Sequence, residues 1–299
     1  MKVFVTGATG YIGYNVARAF RRAGHEVVGL ARSEGKARRL VENEIRPVIG
    51  TLQDASIWRP VAESASVLIH AAVDYQADTV ALDRATVATL LDAAKHGPGP
   101  KTVVYTSGVW VSGDTGTDAV DETSVPHPPA LVAHRPEVER SVLAATHAKG
   151  LVLRPGLVYG HQGGLTGLLF AGAVSGGLSV VGDGRNRWAM VHVDDLAEGY
   201  VRAVESGLGG ELFHFTDRSR HTVNGMAGAA ARAAGYTGPI EHLTISEAAK
   251  SYGPMAECLA LDQHVDSRKA VRLLGWQPRH GGFVDEVATY LASWRAAQA

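Results

Sequence analysis

Near the start of the chain, three glycines stand at three-residue intervals: Gly7, Gly10 and Gly13. They follow an apolar run at residues 3–5 and lead into an amphipathic stretch at residues 14–20, so the local order is strand, turn and helix. Glycine lets backbone amides approach a pyrophosphate closely, and a helix start adds free N–H groups and the positive end of a dipole. Because the spacing fits the common Gly-x-Gly-x-x-Gly fingerprint only loosely, the strand–turn–helix context carries the prediction of a dinucleotide site. The alternative is a glycine turn with a structural role alone.

The order of apolar runs along the first half of the chain predicts the fold. Further runs with the length and composition of strands occur at residues 25–30, 47–50, 67–72, 102–106 and 151–154. Residues 78–96 have helical periodicity, and Gly97–Pro100 end that helix. Alternating strands and helices are typical of an α/β fold of the Rossmann type. Such a fold has a doubly wound parallel sheet, with its ligand crevice at the carboxyl ends of the strands.

The regular alternation ends after residue 160. Residues 161–190 are rich in glycine, and Asp194–Asp195 open a predicted helix that ends at Glu205. The remaining predicted elements are strands at residues 213–215 and 240–243 and helices at residues 222–234, 267–274 and 284–296. We therefore predict two units. The dinucleotide-binding Rossmann domain comprises residues 1–160 plus about 189–216, and a smaller C-terminal α+β substrate lobe comprises about 161–188 and 217–299.

Composition excludes several classes of function. The 299 residues include 29 Lys and Arg and 30 Asp and Glu, so we expect no binding to nucleic acid or to an anionic membrane surface. A small-molecule substrate is expected instead. The single cysteine, Cys258, excludes an internal disulfide, and no apolar run approaches the length of about 18 residues that spans a membrane. We therefore expect a cytoplasmic location. The 13 histidines show no spacing typical of a metal site, so no metal is expected.

The end of the second strand discriminates between the two nicotinamide dinucleotides. An NAD site usually has an acidic residue here for the ribose 2′-hydroxyl, whereas this chain has Ala31 and then Arg32, with Lys36 and Arg38 close behind. A guanidinium forms paired, charge-assisted hydrogen bonds with a 2′-phosphate, which a carboxylate would repel. NADP is therefore the expected cofactor, with NAD as the alternative. The competing interpretation of Arg32 is a solvated loop charge.

Several motifs occur in a fixed order. They are the glycine turn, Arg32, His70–Ala72, Ser107, Arg154–Gly160 and Val191–Ala197. In this order they resemble the extended short-chain dehydrogenase/reductase superfamily, and more narrowly its atypical members related to NAD-dependent epimerases and dehydratases. The resemblance covers nearly the whole chain and implies a Rossmann domain, a small C-terminal lobe and a homodimer. It also implies that Ser107 hydrogen-bonds the reacting oxygen and that the Pro155–Gly156 turn lines the nicotinamide.

The candidate binding residues lie in the glycine turn and in the loops that follow the strands. Those for the cofactor are Gly7, Thr9, Gly10, Tyr11, Ile12, Gly13, Arg32, Ser33, Leu52, Asp54, His70, Ala71, Ala72, Arg135, Pro155, Gly156 and Val158. Of these, Asp54 stands where a loop reaches an adenine amino group. The candidates for the substrate are Trp110, Arg185 and Arg187. The two arginines either bind an anionic group of the substrate or only cover a loop.

The chain lacks the Tyr-x-x-x-Lys pair of the superfamily. The register places Leu131 at the tyrosine position and Arg135 at the lysine position. Leucine has no proton to give, and arginine, with a pKa above about 12, can orient a ribose but cannot relay protons. Pro136 is tolerated only in the first turn of a helix. We therefore predict that the helix begins near His134 or Arg135, after a non-helical approach over the crevice at residues 128–134.

Another group must then exchange the proton in any reaction of this kind. Besides a water held by Ser107, the candidates are Tyr75 after the fourth strand, His134 beside Arg135, and Tyr159 after the sixth strand. Each has a structural alternative. Tyr75 would cap the crevice, His134 would be a surface loop residue, and Tyr159 would pack under the sheet.

Three functions remain open from the sequence. The first is an NADP-dependent oxidoreductase that acts on a carbonyl or alcohol of a small metabolite, with Ser107 polarising the oxygen. The second is an epimerase or dehydratase that retains its cofactor through the reaction cycle. The third is a catalytically silent NADP-binding sensor or scaffold, in which the missing Tyr-x-x-x-Lys pair is itself the loss of activity.

Overall fold

The computed structural model describes residues 1–74, 77–97, 99–161 and 163–298. In chain order, the strands are β1 (Lys2–Thr6), β2 (Glu26–Ala31), β3 (Arg46–Ile49), β4 (Val67–His70), β5 (Lys101–Thr106), β6 (Ala148–Pro155), β7 (Leu157–Tyr159), β8 (Ser179–Val181), β9 (Met190–His192), β10 (Glu211–Phe215) and β11 (Glu241–Leu243). The helices are α1 (Tyr11–Arg22), α2 (Glu34–Val41), α3 (Ala55–Ser64), α4 (Thr79–Ala93), α5 (Arg135–Leu143), α6 (Gly167–Ser175), α7 (Val193–Glu205), α8 (Val223–Ala234), α9 (Ile245–Tyr252), α10 (Met255–Leu259), α11 (Arg268–Leu274) and α12 (Val287–Ala296).

Within these residues the main sheet has seven strands, all parallel, in the order β3-β2-β1-β4-β5-β6-β10. This confirms the predicted Rossmann sheet. The strand order changes direction between β1 and β4, and doubly wound sheets bind ligands beside such a switch point. Thr6, His70, Thr106 and Pro155 end the adjacent strands β1, β4, β5 and β6, so they form the floor of any ligand crevice there.

The strands are apolar on both faces because helices cover both sides of the sheet. Strand β1 shows this alternation. Val3 and Val5 pack in the cluster that includes residues of α1 and α7, whereas Phe4 packs on the other face with residues of α3 and α4. The rings of Phe4 and Trp58 stack there at a centroid distance of 5.9 Å. This packing holds the carboxyl ends of the strands in fixed positions.

A separate apolar cluster lies in the C-terminal part of the chain. Tyr159, Phe170 and Phe283 are buried in it, and the short parallel pairs β7–β9 and β8–β11 border it. Helix α11 departs from this pattern, since Ala270 and the following Trp276 pack into the cluster of the main sheet. The boundaries of the two predicted units stay a prediction.

Most predicted elements occur at the expected places. Helix α5 begins at Arg135 with Pro136 in its first turn. Helices α2, α3, α6, α9 and α10 are not predicted from the sequence. The approach to α5 is not wholly non-helical, because a single turn of 3₁₀ helix spans Ala130–Val132 directly after Pro129. No helix in the described ranges is long and apolar enough to cross a membrane.

Candidate active site

The glycine turn brings the end of β1, the start of α1 and the residues after β4 into close contact. Gly7 has a φ of +74°, and a Cβ there would lie 2.4 Å from the carbonyl oxygen of Ala71. A Cβ on Gly13 would lie 2.3 Å from the carbonyl oxygen of Gly7. Any larger residue at either position would push the turn away from the sheet. The exposed backbone at Gly10 and the N-terminus of α1 therefore fit the pyrophosphate of a dinucleotide.

A crevice of about 600 Å³ opens at the carboxyl ends of the central strands, a volume typical of a small-molecule site. The predicted cofactor residues that line it are Gly10, Tyr11, Ile12, Leu52, His70, Ala71, Ala72, Arg135, Pro155, Gly156 and Val158. Ser107, Trp110 and His134 line it as well. The fold thus gathers residues that are far apart in the sequence around one space.

Other predicted cofactor residues lie outside the crevice wall. Thr9 is part of the glycine turn, and Asp54 is exposed immediately before α3. Ser33 caps the start of α2 with its side chain. Arg32 follows β2 with a side chain that is 64% exposed, and its Nη1 lies 4.0 Å from Asp74 Oδ2. Arg32 therefore presents a cation to solvent at the end of β2.

Two polar atoms in the crevice, Ser107 Oγ and Arg135 Nε, are buried and have no hydrogen-bond partner among the described residues. Ser107 follows β5, and its amide donates to the Leu153 carbonyl at 2.8 Å, which fixes its backbone. Arg135 begins α5, and its Nη1 lies 3.3 Å from the position that a Cβ on Gly108 would occupy. An unpaired buried polar group costs about 1–3 kcal/mol. A ligand that hydrogen-bonds both groups would remove that cost.

Beside these two residues, Asp83 of α4 joins side chains from three other elements. Its Oδ1 accepts a hydrogen bond from His70 Nε2 at 3.0 Å, and its Oδ2 accepts one from the Tyr105 hydroxyl at 2.7 Å. His134 Nε2 lies 3.3 Å from the same Oδ2. Behind His70, Thr6 Oγ1 lies 2.7 Å from Nδ1. We call Thr6, His70, Asp83, Tyr105 and His134 the crevice network.

Burial and hydrogen bonding set the charges in the crevice network. Burial opposes ionisation of Asp83, but the hydrogen bond and charge of His70 and the Tyr105 hydroxyl outweigh it and hold the pKa of the carboxyl below its ordinary value. Burial lowers the pKa of His134; the Asp83 charge opposes this shift and the Arg135 charge adds to it. At neutral pH Asp83 is therefore ionised and His134 is a neutral imidazole. Because Nε2 of His134 faces the carboxylate, Nδ1 is the nitrogen left for a ligand.

The structure does not bring Tyr159 to the crevice, which corrects its prediction as a proton donor. Its side chain is fully buried in the C-terminal cluster, where the hydroxyl donates to Asp217 Oδ2 at 3.0 Å and lies 3.1 Å from the Gly281 carbonyl. Burial, and then the charge of Asp217, raise the pKa of this hydroxyl. Its proton is therefore engaged in the fold. Tyr75, another predicted donor, lies outside the described residues.

Of the three predicted substrate residues, Trp110 lines the crevice and the two arginines do not. The side chain of Arg185 is 88% exposed. Arg187 is held by two partners, since its Nη1 lies 3.6 Å from Asp262 Oδ2 and 3.1 Å from His264 Nε2. Neither arginine lines the crevice, which favours the alternative that they only cover a loop.

Thr6, Asp83 and Tyr105 are not among the site residues predicted from the sequence. A signal for Asp83 exists, because it stands four residues before Val87 and seven before Leu90 on the buried face of α4. A carboxylate on such a face requires hydrogen-bond partners. Thr6 and Tyr105 carry no comparable signal, since a threonine or tyrosine in a strand is ordinary.

A second group of histidines lies at the start of α7, beside the C-terminal cluster. His192, Asp194 and His280 offer ligand atoms within 4.8 Å of one another, although the sequence predicts no metal site. His192 Nδ1 accepts the Asp194 amide at 3.2 Å, so its Nε2 carries the ring proton and offers no lone pair to a metal. His280 Nδ1 donates to Asp195 Oδ1 at 2.9 Å, and its ring stacks on that of His192 at 3.8 Å between centroids. We call His192, Asp194, Asp195 and His280 the junction group. We assign this group a structural role.

Several known proteins are similar to this chain. The model of the NAD dependent epimerase/dehydratase family matches residues 3–214. An uncharacterized protein of Schizosaccharomyces pombe is 28% identical over 296 residues, which cover 97% of this chain and 99% of that protein. The 4-hydroxy-2-methyl-3-oxo-4-farnesyl-3,4-dihydroquinoline-1-oxide ketoreductase of Stigmatella aurantiaca is 29% identical over 228 residues, which cover 73% of this chain and 68% of that protein.

Among solved structures, UDP-glucose 4-epimerase of Thermotoga maritima with UDP-glucose superposes with a TM-score of 0.84 at 21% identity, covering 100% of both chains. At this identity the likeness shows the fold. The matching family is that of NAD-dependent epimerases and dehydratases, and the Stigmatella relative is a ketoreductase. With its parallel sheet, glycine turn and crevice, and a family match over more than half its length, this chain belongs to the NAD-dependent epimerase/dehydratase family.

Proposed function

We propose that this protein is an NADP-dependent oxidoreductase that acts on a carbonyl or alcohol of a small metabolite. The proposal is carried by two buried polar atoms of the crevice, Ser107 Oγ and Arg135 Nε, which have no hydrogen-bond partner in the described part of the chain and have His134 beside them. A bound nicotinamide would supply or accept a hydride at the substrate carbon. The residues of the chain then hold the cofactor, orient the substrate oxygen and exchange a proton with it.

The cofactor would be held by backbone at both ends of the crevice. Gly10 and the start of α1 would bind the pyrophosphate. At the other end, a Cβ on Gly156 would lie 2.6 Å from the Ala189 carbonyl, so the Pro155–Gly156 turn is fixed by its own packing. This turn would line the nicotinamide. Arg135, which is always charged, would donate hydrogen bonds to the ribose hydroxyls.

Ser107 would orient the substrate oxygen. Its hydroxyl is buried and has no partner in the described part of the chain, so a substrate carbonyl can take the hydrogen bond without displacing one from the protein. As hydride reaches the carbon, negative charge develops on the oxygen and this hydrogen bond strengthens. Donors that are aimed at developing charge in this way are typically the largest single contribution to catalysis.

His134 would exchange the proton. Reduction of a carbonyl adds hydride to carbon and a proton to oxygen, and oxidation of the alcohol removes both. Protonated His134 would donate through Nδ1 in reduction, and the neutral ring would accept in oxidation. Asp83 would act as a positioning residue that orients the ring through Nε2 and favours its charged form. This arrangement would replace the absent tyrosine.

Arg32 supports NADP over NAD. Its exposed guanidinium at the end of β2 is available to a 2′-phosphate, and hydrogen bonds to charged groups contribute about 1.5–3 kcal/mol. In Arg32→Gln, we therefore expect the KM for NADPH to rise about tenfold or more while the KM for NADH stays unchanged. Arg46→Gln is the matched control, because Arg46 is also exposed but begins β3, away from the carboxyl ends of the strands. A homodimer and a cytoplasmic location remain proposals from the sequence.

The decisive experiment incubates purified protein and NADPH with a panel of aldehydes and ketones. We expect NADPH to be consumed in equal amount to the alcohol formed, and Ser107→Ala to abolish most of this turnover. Turnover without net NADPH consumption would favour the retained-cofactor epimerase instead. Tight NADPH binding with no chemistry on any carbonyl would favour the silent sensor.

A further inference from the structure

Apolar side chains form most of the crevice wall beyond the glycine turn. They come from the segment after β4, from α4, from the turn after Ser107, from the approach to α5 and from the 3₁₀ turn before α6, and include Val73, Leu82, Val109, Trp110, Leu131 and Leu165. Val73 remains 43% exposed, although it borders a deep crevice. An apolar surface of this kind gains free energy when a ligand removes it from water. The wall therefore favours a ligand with an apolar body.

The charges that face the crevice do not suit an anion. Arg135 is the single arginine or lysine among the described residues that line it, whereas Asp74 and Asp83 both present carboxylates. Asp74 lies 4.0 Å from Arg32, and Asp83 is held in the crevice network. Phosphate and carboxylate groups are typically bound by paired arginines or by helix N-termini. In the proposed function, Arg135 and the N-terminus of α1 already serve the cofactor.

Three arginines, Arg154, Arg185 and Arg187, form ion pairs or lie outside the crevice wall. Arg154 forms a buried two-point ion pair with Glu139, at 2.8 and 2.5 Å. Arg187 is held by Asp262 and His264, and Arg185 is exposed outside the crevice wall. Moving Arg154 or Arg187 into the crevice would leave a carboxylate unpaired. These residues therefore do not supply a second cation to a bound substrate.

We infer that the substrate is an uncharged aldehyde or ketone with an apolar body, and not a nucleotide sugar or another phosphate ester or carboxylate. This inference rests on the proposed function and names the substrate class of the same crevice. The reacting oxygen meets Ser107, and the apolar body lies along the wall that includes Trp110 and Leu131. Each methylene that leaves water against this wall raises kcat/KM about three- to fourfold.

Two matched series of substrates test this inference. The first is straight-chain aldehydes from butanal to octanal, and the second is aldehydes of the same lengths that end in a carboxylate, each with NADPH. We expect kcat/KM to rise about three- to fourfold per methylene in the first series. It should stay low in the second, and UDP-glucose should not be oxidised with NADP. Higher kcat/KM for the carboxylates, or oxidation of UDP-glucose, would overturn the inference and leave the proposed function standing. No turnover of any aldehyde or ketone would reject both.

A variant that changes the wall sharpens the test. Leu131→Lys adds a cation to the crevice, so the ratio of kcat/KM for carboxylate over apolar aldehydes should rise about tenfold or more. Val125→Lys is the matched control, because Val125 is 71% exposed and lies outside the crevice wall, and its ratio should equal that of the unmodified protein. Equal ratios in both variants would contradict the inference. Trp110→Ala gives an independent readout, since it should flatten the increase per methylene without creating activity on carboxylates.

Discussion

The crevice network and the junction group combine the same residue types, histidine and aspartate, but in different surroundings. In the crevice network, His134 borders an open crevice next to Ser107, whose hydroxyl has no partner within residues 1–74, 77–97, 99–161 and 163–298. In the junction group, Asp195 accepts the backbone amides of Arg279 and His280 at 3.0 and 3.1 Å, besides the His280 ring. Asp195 therefore uses these hydrogen bonds to hold the fold and not to contact a ligand. A histidine–aspartate pair is thus available for chemistry where it borders unpartnered polar atoms, and not merely where it is buried.

The two regions also differ in what protonation changes. Burial, and then the charge of His280, lower the pKa of His192 to about 4, so this ring is neutral in the folded protein at neutral pH. His134 is neutral for a similar reason. Protonation of His134 changes the proton available to a substrate, whereas protonation of His192 changes the stability of the fold. Variants of the crevice network should therefore change the rate of turnover, whereas variants of the junction group should change the stability of the fold.

The largest expected effect is that of His134→Gln. Glutamine keeps a polar side chain but cannot titrate, so we expect kcat for carbonyl reduction to fall about 100- to 10,000-fold with NADPH binding retained. His280→Gln, in the junction group, is the comparison and should leave kcat close to that of the unmodified protein. Steady-state kinetics and thermal melts of both variants provide the measurement. Equal losses of kcat in the two would erase the distinction between the regions.

Ser107→Ala should have the next largest effect. We expect kcat/KM to fall about 100- to 1,000-fold, as is typical when a donor to a developing oxyanion is removed. The melting temperature should not fall, because Ser107 Oγ has no partner within the described residues. Asp195→Asn should behave oppositely, lowering the melting temperature and sparing kcat/KM. A clearly destabilised Ser107→Ala would mean that the hydroxyl has a structural role.

Much of the fold follows from local patterns in the sequence. The glycine turn and the apolar strands predict the parallel sheet, and Pro136 predicts the start of α5, because proline fits only the first turn of a helix. Helix α6 is not predicted from the sequence, because it is apolar on every side and lies among glycines, so no periodicity is visible. Helices α2 and α3 are short and polar or contain a proline, Pro60.

The candidate site was less accessible from sequence for a physical reason. Residues at the ends of parallel strands can be placed because the sheet aligns them, and so Ser107 and His70 are found in the crevice wall. Side-chain partners across elements depend on packing that spacing does not encode. Tyr159 follows β6 in a position that suggests the crevice, but the turn at Gly156 directs it into the C-terminal cluster. The contact between Asp83 and His134 can be identified only from the structure.

Asp83→Asn should have a smaller effect than the two substitutions above. Carbonyl reduction needs protonated His134, so its rate is lost as pH rises through the pKa of that ring, which lies below its ordinary value. Removing the carboxylate lowers this pKa further, so reduction at neutral pH should slow about tenfold. The decline in the pH–rate profile should move to lower pH. Asp92→Asn is the control, on the same helix and away from the crevice wall. If the pH–rate profile of Asp83→Asn is the same as that of the unmodified protein, Asp83 has only a packing role.

His192→Asn should change turnover least and test the junction group through stability. Because the folded-state pKa of His192 is about 4, the unfolded chain binds more protons as pH falls from about 6.5, and stability decreases by up to about 1.4 kcal/mol per pH unit. His214, whose pKa burial lowers to about 3, adds a similar slope in both proteins. Asparagine can still accept the Asp194 amide at the start of α7 but cannot titrate. Denaturant unfolding between pH 7 and pH 4 should therefore give a shallower decline in the variant, with kcat unchanged. Identical slopes would mean that His192 already accepts its proton in the folded state, and the contrast between a structural and a reactive histidine pair would then rest on position alone.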